Sequence, residues 1–219
     1  MALILNIETA IDSASFCVAD DGRSVFSGMN ESRTGQAAWL HRAIKEAFEN
    51  NSLTIKDIDA VSVSNGPGSY TGLRVGLSTA KGICYALKMP LICINTLEIM
   101  ALSVTDKATD LICPMIDARR MEVFAAVYDK TLNIVHPPEA MVLTEADFDR
   151  FLSSRKVLFT GNGAGKFRNL INNPNADFVE DNISAVEMAP LSEKYFTNND
   201  FSDLAYAEPY YLKPVYLHN

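Results

Sequence analysis

Residues 65–74 of the chain read NGPGSYTGLR and stand between an apolar run and a longer amphipathic segment. The run before them, residues 58–64, predicts a strand, and residues 71–87 predict a helix. A strand, a glycine-rich turn and a helix start place several backbone N–H groups around one point, which attracts anions. The same pattern fits a tight turn in which Ser69 or Thr71 caps the helix. From the residues alone, both interpretations stay open.

Two phosphate-binding fingerprints fail at this turn. A Walker A loop requires Lys-Ser or Lys-Thr after its last glycine, where this chain has Leu73-Arg74, and the third glycine of GxGxxG would precede Gly72 by one residue. Small residues recur every four positions along the helix, at Gly72, Gly76 and Ala80. Each helical glycine costs about 1 kcal/mol relative to alanine. The spacing therefore predicts that the sheet of this chain, or a helix of another, packs closely against this helix.

Strands and helices alternate on both sides of the motif. The first half predicts strands near residues 3–8, 15–18, 23–28, 58–64 and 91–95, with helices near 35–48, 71–87 and 96–104. The second half repeats the theme loosely, with strands near 111–116, 121–128 and 156–160 and capping boxes at Thr144/Asp147 and Ser184/Glu187. We predict an α/β protein of two lobes, residues 1–104 and 105–219.

The charge balance is acidic, with 19 basic against 27 acidic residues and a formal net charge of −8. A protein that grips nucleic acid alone clusters Lys and Arg against the phosphates, and the longest basic run here is Arg119-Arg120. Any RNA is therefore expected to be held by another subunit. The four cysteines lie in apolar segments without a CxxC pair, which predicts buried, reduced thiols and a cytoplasmic location. No signal peptide or membrane span is predicted.

Few residues are candidates for catalysis. The sequence contains neither an HExxH nor a GxSxG pattern, and its histidines are far apart: His41, His136 and His218. Glu8 and Asp117 end strands at matching places in the two halves, where carboxylates could hold a magnesium nucleotide. Solvated strand-end acids are the alternative interpretation. Residues 161–166 superficially suggest a P-loop, but a glycine turn that follows a strand is the default.

The first predicted helix has two distinct faces. Its apolar residues at helical spacing, Ala37, Leu40, Ile44, Ala47 and Phe48, predict packing on the sheet. Trp39 and Ala43 lie together on another face. The tryptophan either caps a groove between elements of this chain or belongs to a partner surface, because Trp is enriched at interface hot spots.

The stretch 65–74, the opening strand at 4–10 and the segment 114–119 together resemble the TsaB (YeaZ) family. Residues 94–97, 100–101 and 207–212 add supporting matches, so the resemblance covers nearly the whole chain in order. It implies an actin/Hsp70/sugar-kinase (ASKHA) fold with two lobes of repeated βββαβα units. It also implies a role in the synthesis of N6-threonylcarbamoyladenosine (t6A) at position 37 of tRNA.

The resemblance further implies a vestigial nucleotide site. The phosphate loops of nucleotide-binding relatives correspond to Glu8-Thr9 and to Asp117, and their adenosine loop corresponds to Gly161 and Gly163. Glycines expected after Glu8 and Asp117 are missing. TsaD, the catalytic paralogue, carries an HxxxH metal motif where residues 95–100 read NTLEIM. A non-catalytic subunit follows, with no metal and no cofactor in the isolated chain, although ATP or ADP at a partner interface is compatible with it.

The partners implied are a TsaD-like paralogue and a TsaE-like ATPase, with a homodimer when the chain is alone, only indirect contact with tRNA and no membrane. The partner interface carried over from the family lies on the first-lobe helices, at Gln36, Trp39, Ala43, Gly72, Gly76 and Ala80. Two enzymatic alternatives remain: an ATP-dependent kinase or carbamoyltransferase that uses Glu8 and Asp117 with magnesium, and a homologue of the M22-type peptidases.

Overall fold

A computed structural model describes residues 2–11, 13–30, 32 and 35–213. The strands are β1 Leu3–Glu8, β2 Ser15–Asp20, β3 Arg23–Met29, β4 Ala60–Gly66, β5 Leu91–Asn95, β6 Leu111–Asp117, β7 Glu122–Asp129, β8 Ile134–Val142, β9 Val157–Thr160 and β10 Ala176–Val179. The helices are α1 Gln36–Asn50, α2 Tyr70–Leu87, α3 Thr96–Leu102, α4 Asp149–Leu152, α5 Ala164–Arg168 and α6 Ala189–Thr197. None of these helices has the length and apolar character needed to cross a membrane.

The chain divides into two compact units. The first unit holds the described residues up to Thr96 together with residues 183–210, here called the return segment. The second unit holds residues 97–182 and the described residues from Tyr211 onward. This division differs from the predicted boundary between residues 104 and 105 in two respects: the first part of the first unit ends at Thr96, and the return segment belongs to the first unit. Two hydrogen bonds attach the return segment to strands of the first unit: the Ala185 N–H donates to Ser15 Oγ (2.9 Å), and the Ser202 N–H donates to the Leu91 carbonyl (2.8 Å).

The first unit is built on a five-stranded sheet in the order β3-β2-β1-β4-β5. Its central strand, β1, pairs antiparallel with β2 and parallel with β4. Alternate residues of a strand face opposite sides of the sheet. Leu5 and Ile7 therefore join the core formed with α1 and α2, and the intervening Asn6 and Glu8 face the other way. The return segment packs against β1, β3 and β5 through α6.

The second unit repeats this topology. Its sheet runs β8-β7-β6-β9-β10, so that β6 takes the central place that β1 has in the first sheet. β6 likewise pairs antiparallel with the following strand and parallel with the one after the crossover. Three mutually packed aromatic rings fill its core, with centroids 5.0 to 5.4 Å apart: Phe148, Phe159 and Phe167. The predicted repetition of an α/β unit is thus confirmed.

The sequence pattern missed two strands and misplaced two helix starts. β8 contains Pro137 and Pro138, which are tolerated because it is an edge strand and needs hydrogen bonds on one side only. β10 is a second edge strand of four residues. Each predicted capping box forms only in part: Asp147 accepts the Thr144 N–H and Glu187 accepts the Ser184 N–H, each at 2.6 Å. The segments they open are turns, and regular helix begins only at α4 and α6.

Candidate functional site

The glycine-rich turn before α2 closes onto the end of β1. The Ser69 N–H donates to the Ala10 carbonyl (2.7 Å), and the Thr9 hydroxyl donates to the Gly72 carbonyl (2.8 Å). A methyl group at Gly72 would overlap the carbonyl oxygen of Thr9, and one at Gly76 would overlap the Thr9 hydroxyl. The glycines are therefore required by this chain's own packing. We call the contact between residues 8–10 and residues 66–76 the β1–α2 junction.

The junction decides between the two interpretations of the turn. Ser69 is the N-cap of α2, and its hydroxyl accepts the Gly72 N–H (3.2 Å). The backbone of Thr9 and Ala10 lies against Gly68 and Gly72, at the start of the helix. The structure thus favours a capped turn packed on its own chain. Thr71, the other predicted cap, is exposed.

Three of the six residues of the predicted partner surface are buried inside the first unit. Gly72, Gly76 and Ala80 are buried within the first unit, and a methyl group at Gly76 would also meet Val63 of β4. Their small size serves close helix–sheet packing inside the chain. These three positions are therefore a wrong prediction for an accessible partner surface.

The α1 half of the predicted surface also packs largely inward. Trp39 is half-buried against the first-unit core, with its ring 6.1 Å from that of Phe16, and Ala43 packs on the same core. The structure therefore favours the interpretation in which the tryptophan caps the packing of this chain. Gln36, also half-buried, borders a concave surface at the start of α1.

An exposed concave surface lies along the groove between α1 and α2. One concavity of about 500 Å³ is lined by the small residues Ala37 and Ser78 and by larger side chains, among them His41, Tyr70, Arg74 and Val75. An adjoining concavity of about 380 Å³ also includes His41 and has an apolar floor of Ile44, Phe48, Leu53, Ile55 and Ile83. We call these two concavities the α1–α2 groove. Sequence reasoning missed it because the predicted faces were centred on Trp39 and Gly76.

Gly82 differs from Gly72 and Gly76, the other glycines of α2, in the space around it. It is exposed, and a methyl group there would meet nothing within 4 Å. Nothing in the described part of the chain therefore requires a glycine at this helix position, although it costs about 1 kcal/mol relative to alanine. The sequence already indicated that Gly82 differs from the buried glycines, because it falls outside the four-residue spacing of Gly72, Gly76 and Ala80.

Glu8 is buried beneath the β1–α2 junction with 1 % of its surface exposed. One carboxyl oxygen accepts the Ala10 N–H (2.6 Å) and the Ser64 hydroxyl (3.2 Å). The other, Oε2, has no hydrogen-bond partner among the described residues. Burial raises the pKa of this carboxyl from 4.5 to about 7. Glu8 is thus neither a solvated strand-end acid nor a carboxylate open to a magnesium nucleotide, and Thr9 beside it is fully buried.

The second unit brings Asp117 together with the glycine loop at 161–163. Asp117 accepts the Arg119 N–H (2.6 Å), forms an ion pair with Lys166 (2.6 Å), and donates its own N–H to the Asn162 side chain (2.8 Å). Gly161 has a φ of 93°, and a methyl group at either loop glycine would crowd the end of β6. The loop glycines therefore have a packing role, and a lysine already neutralises the acid.

The histidines and cysteines do not assemble a metal site in the described part of the chain. No group of three His, Cys, Asp or Glu side chains there is arranged to hold a metal ion. His41 lines the α1–α2 groove, and His136 bonds Glu139 (2.6 Å) and Arg150 (2.7 Å). His218 lies outside the described residues. All four cysteines are free thiols; Cys17, Cys84 and Cys113 are buried as predicted, whereas Cys93 is half-buried.

The sequence of the chain is similar to those of several known proteins. A sequence model of the family TsaD, tRNA N6-adenosine threonylcarbamoyltransferase, matches residues 32–207. The tRNA threonylcarbamoyladenosine biosynthesis protein TsaB of Escherichia coli K12 is 25 % identical over 96 % of this chain and 94 % of that protein. The chain belongs to this family, in its TsaB (YeaZ) branch. TsaB of Bacillus subtilis 168 is 31 % identical over 59 % of this chain and 57 % of that protein.

The threonylcarbamoyltransferases themselves match only in part. That of Caldicellulosiruptor bescii is 31 % identical over 44 % of this chain, but the match covers 33 % of the transferase. The match to the Escherichia coli TsaB covers 94 % of that protein. The likeness to the transferases is therefore that of a paralogue sharing part of the fold.

Solved structures agree with the fold. YeaZ from Pseudomonas aeruginosa superposes with a TM-score of 0.83 at 20 % identity, covering 97 % of this chain and 100 % of that one. The activator of 2-hydroxyisocaproyl-CoA dehydratase from Clostridium difficile has a TM-score of 0.52 at 11 % identity, over 90 % and 97 %. With the repeated sheet order, these likenesses place the TsaB-branch chain in the two-lobed α/β fold of actin, Hsp70 and the sugar kinases.

Proposed function

We propose that the chain is a non-catalytic partner subunit of tRNA t6A synthesis that binds and activates a TsaD-like paralogue. The observation that carries the proposal is the β1–α2 junction, in which Thr9 and Ala10 lie against the start of α2. That place corresponds to the first phosphate loop of nucleotide-binding relatives. The relatives that match most of the chain are named for threonylcarbamoyladenosine biosynthesis, which supports the same pathway here.

The side chains that replace the catalytic ones support a non-catalytic role. Residues 95–100 supply one carboxylate, Glu98, among Asn, Thr, Leu, Ile and Met, a poor donor set where TsaD has two histidines. Asp117 is neutralised by Lys166, and Glu8 is buried. A kinase-like or carbamoyltransferase mechanism with both acids on magnesium is therefore disfavoured by their surroundings. No nucleophile motif supports a peptidase.

We assign the partner contact to the α1–α2 groove. A groove between two helices accepts the apolar face of a partner helix, and small residues at the crossing let the backbones approach. The groove offers Ala37 and Ser78 at such a crossing and an apolar floor beside them. Gly82, exposed and unexplained within the chain, adds a second point of close approach. A TsaE-like ATPase and a nucleotide at the interface belong to the same proposal, and a homodimer is the competing occupant.

The test exploits two helical glycines with open space around them. Gly82→Arg places a long side chain beside the groove, and Gly165→Arg in α5 is the matched control. Titration calorimetry with the purified TsaD-like paralogue should show affinity reduced more than about 30-fold for Gly82→Arg, equivalent to about 2 kcal/mol, and unchanged for the control. Light scattering of each variant alone reports any homodimer.

Equal affinity of Gly82→Arg and the unaltered chain for the paralogue would exclude the groove as the contact. The non-catalytic assignment has its own test. Hydrolysis of magnesium-ATP by the chain alone, abolished by Asp117→Asn, would overturn it.

A further inference from the structure

The carboxyl of Glu8 occupies a site that suits its neutral form. It is 1 % exposed, and Oε2 faces no hydrogen-bond partner among the described residues. Burying an ionised carboxylate with an unsatisfied oxygen is costly, and a neutral acid avoids most of that cost. The backbone that follows Glu8 forms the β1–α2 junction, so the charge of this one side chain acts on the loop that packs on α2.

The surroundings offer no positive charge to Glu8 within the described residues. β2 places Ser15 opposite it, and β4 contributes the Ser64 hydroxyl, neither of which titrates. The return segment contributes Glu187, whose negative charge opposes ionisation of Glu8. Glu187 itself accepts the Ser184 N–H and hydroxyl, at 2.6 and 2.7 Å. The backbone N–H groups of Ala10 and Ile11 and the Ser64 hydroxyl favour the ionised form, but burial outweighs them.

We propose that Glu8 acts as a proton-linked latch: the neutral carboxyl holds Thr9 and Ala10 against the start of α2, and ionisation favours an opened junction. In the opened form the proton has passed to solvent and water reaches the carboxylate. Two contacts loosen together, the Thr9 hydroxyl on the Gly72 carbonyl and the Ser69 N–H on the Ala10 carbonyl. The latch requires only the isolated chain, so its test does not depend on the proposed partner.

The expected pH dependence follows from proton linkage. An opened junction binds the Glu8 proton like an exposed carboxyl, with a pKa of 4.5, and the closed junction holds it up to about pH 7. The opening equilibrium should therefore rise about tenfold per pH unit between pH 4.5 and 7 and level off above pH 7. Acidification therefore tightens the junction, and at neutral pH the opening equilibrium is near its upper limit.

Amide hydrogen exchange of residues 9–10 and 66–76, corrected for intrinsic rates, measures this opening from pH 5 to 8. The unaltered chain should lose about tenfold protection per pH unit up to pH 7, whereas Glu8→Gln should show no slope. Ser64→Ala is a second variant, because loss of its hydroxyl should move the levelling to higher pH. Residues of β7 in the second unit provide the internal control. A slope shared by Glu8→Gln and the unaltered chain, or a carbon-13 titration of Glu8 midway near pH 4.5, would overturn the latch.

Discussion

Two glycines of the same helix should respond in opposite directions to the same substitution. Gly72 and Gly82 both lie in α2, but a methyl group at Gly72 would overlap the Thr9 carbonyl, whereas at Gly82 it would meet open space. Alanine is better than glycine in a helix by about 1 kcal/mol. Gly82→Ala should therefore stabilise the chain by about 0.5–1 kcal/mol, and any cost at Gly72 comes from the junction.

The cost at Gly72 follows from what must move. The overlapped atom is backbone, so the loop at Thr9 has to retreat by about 1 Å or more. Overpacking of this kind costs about 1–3 kcal/mol. The retreat also strains the Thr9–Gly72 and Ser69–Ala10 hydrogen bonds, each worth about 1 kcal/mol. After the helix gain is subtracted, Gly72→Ala should lower the free energy of unfolding by about 2–4 kcal/mol.

Urea denaturation followed by circular dichroism measures both variants against the unaltered chain, with Gly165→Ala as an open-space control in another helix. Far-ultraviolet spectra at low denaturant establish that each variant is folded before midpoints are compared. Gly72→Ala as stable as Gly82→Ala would refute the assignment of Gly72 to internal packing. In that case the helix face of Gly72, Gly76 and Ala80 would again be a candidate partner surface.

Three further outcomes are expected. Because the folded-state pKa of Glu8 is raised, its contribution to the unfolding free energy should be full below pH 4.5 and should fall by about 3 kcal/mol as the pH rises to 7. Urea curves at pH 5 and pH 8 should show this fall for the unaltered chain but not for Glu8→Gln. Lys88 ends α2 at φ 56°, so Lys88→Gly should raise the unfolding free energy by about 1 kcal/mol in the same assay, and a loss would contradict the left-handed cap. Phe159 is fully buried among three other aromatic rings, so its replacement by alanine should cost about 3–5 kcal/mol, measured as a lower urea midpoint. A change below about 1 kcal/mol would contradict the second-unit core.

Much of the architecture could be predicted because local sequence patterns specify it. The opening strands, the strand–turn–helix around NGPGSYTGLR and the antiparallel start of the second half follow from alternation, glycine turns and helical spacing. The edge strands β8 and β10 could not, since prolines and short length remove the local signal while pairing with a neighbour restores the strand.

The sequence by itself determined that two similar α/β halves exist, that α2 follows a glycine turn, and that residues 95–100 contain no histidine. Only the tertiary structure decided which side of each element is covered. The return segment folds back on the first unit, Gly72 and Gly76 meet Thr9 from more than sixty residues earlier in the chain, and Glu8 is sealed away from solvent. Local patterns specify the faces of a helix or strand, but burial is settled by contacts between residues distant in sequence.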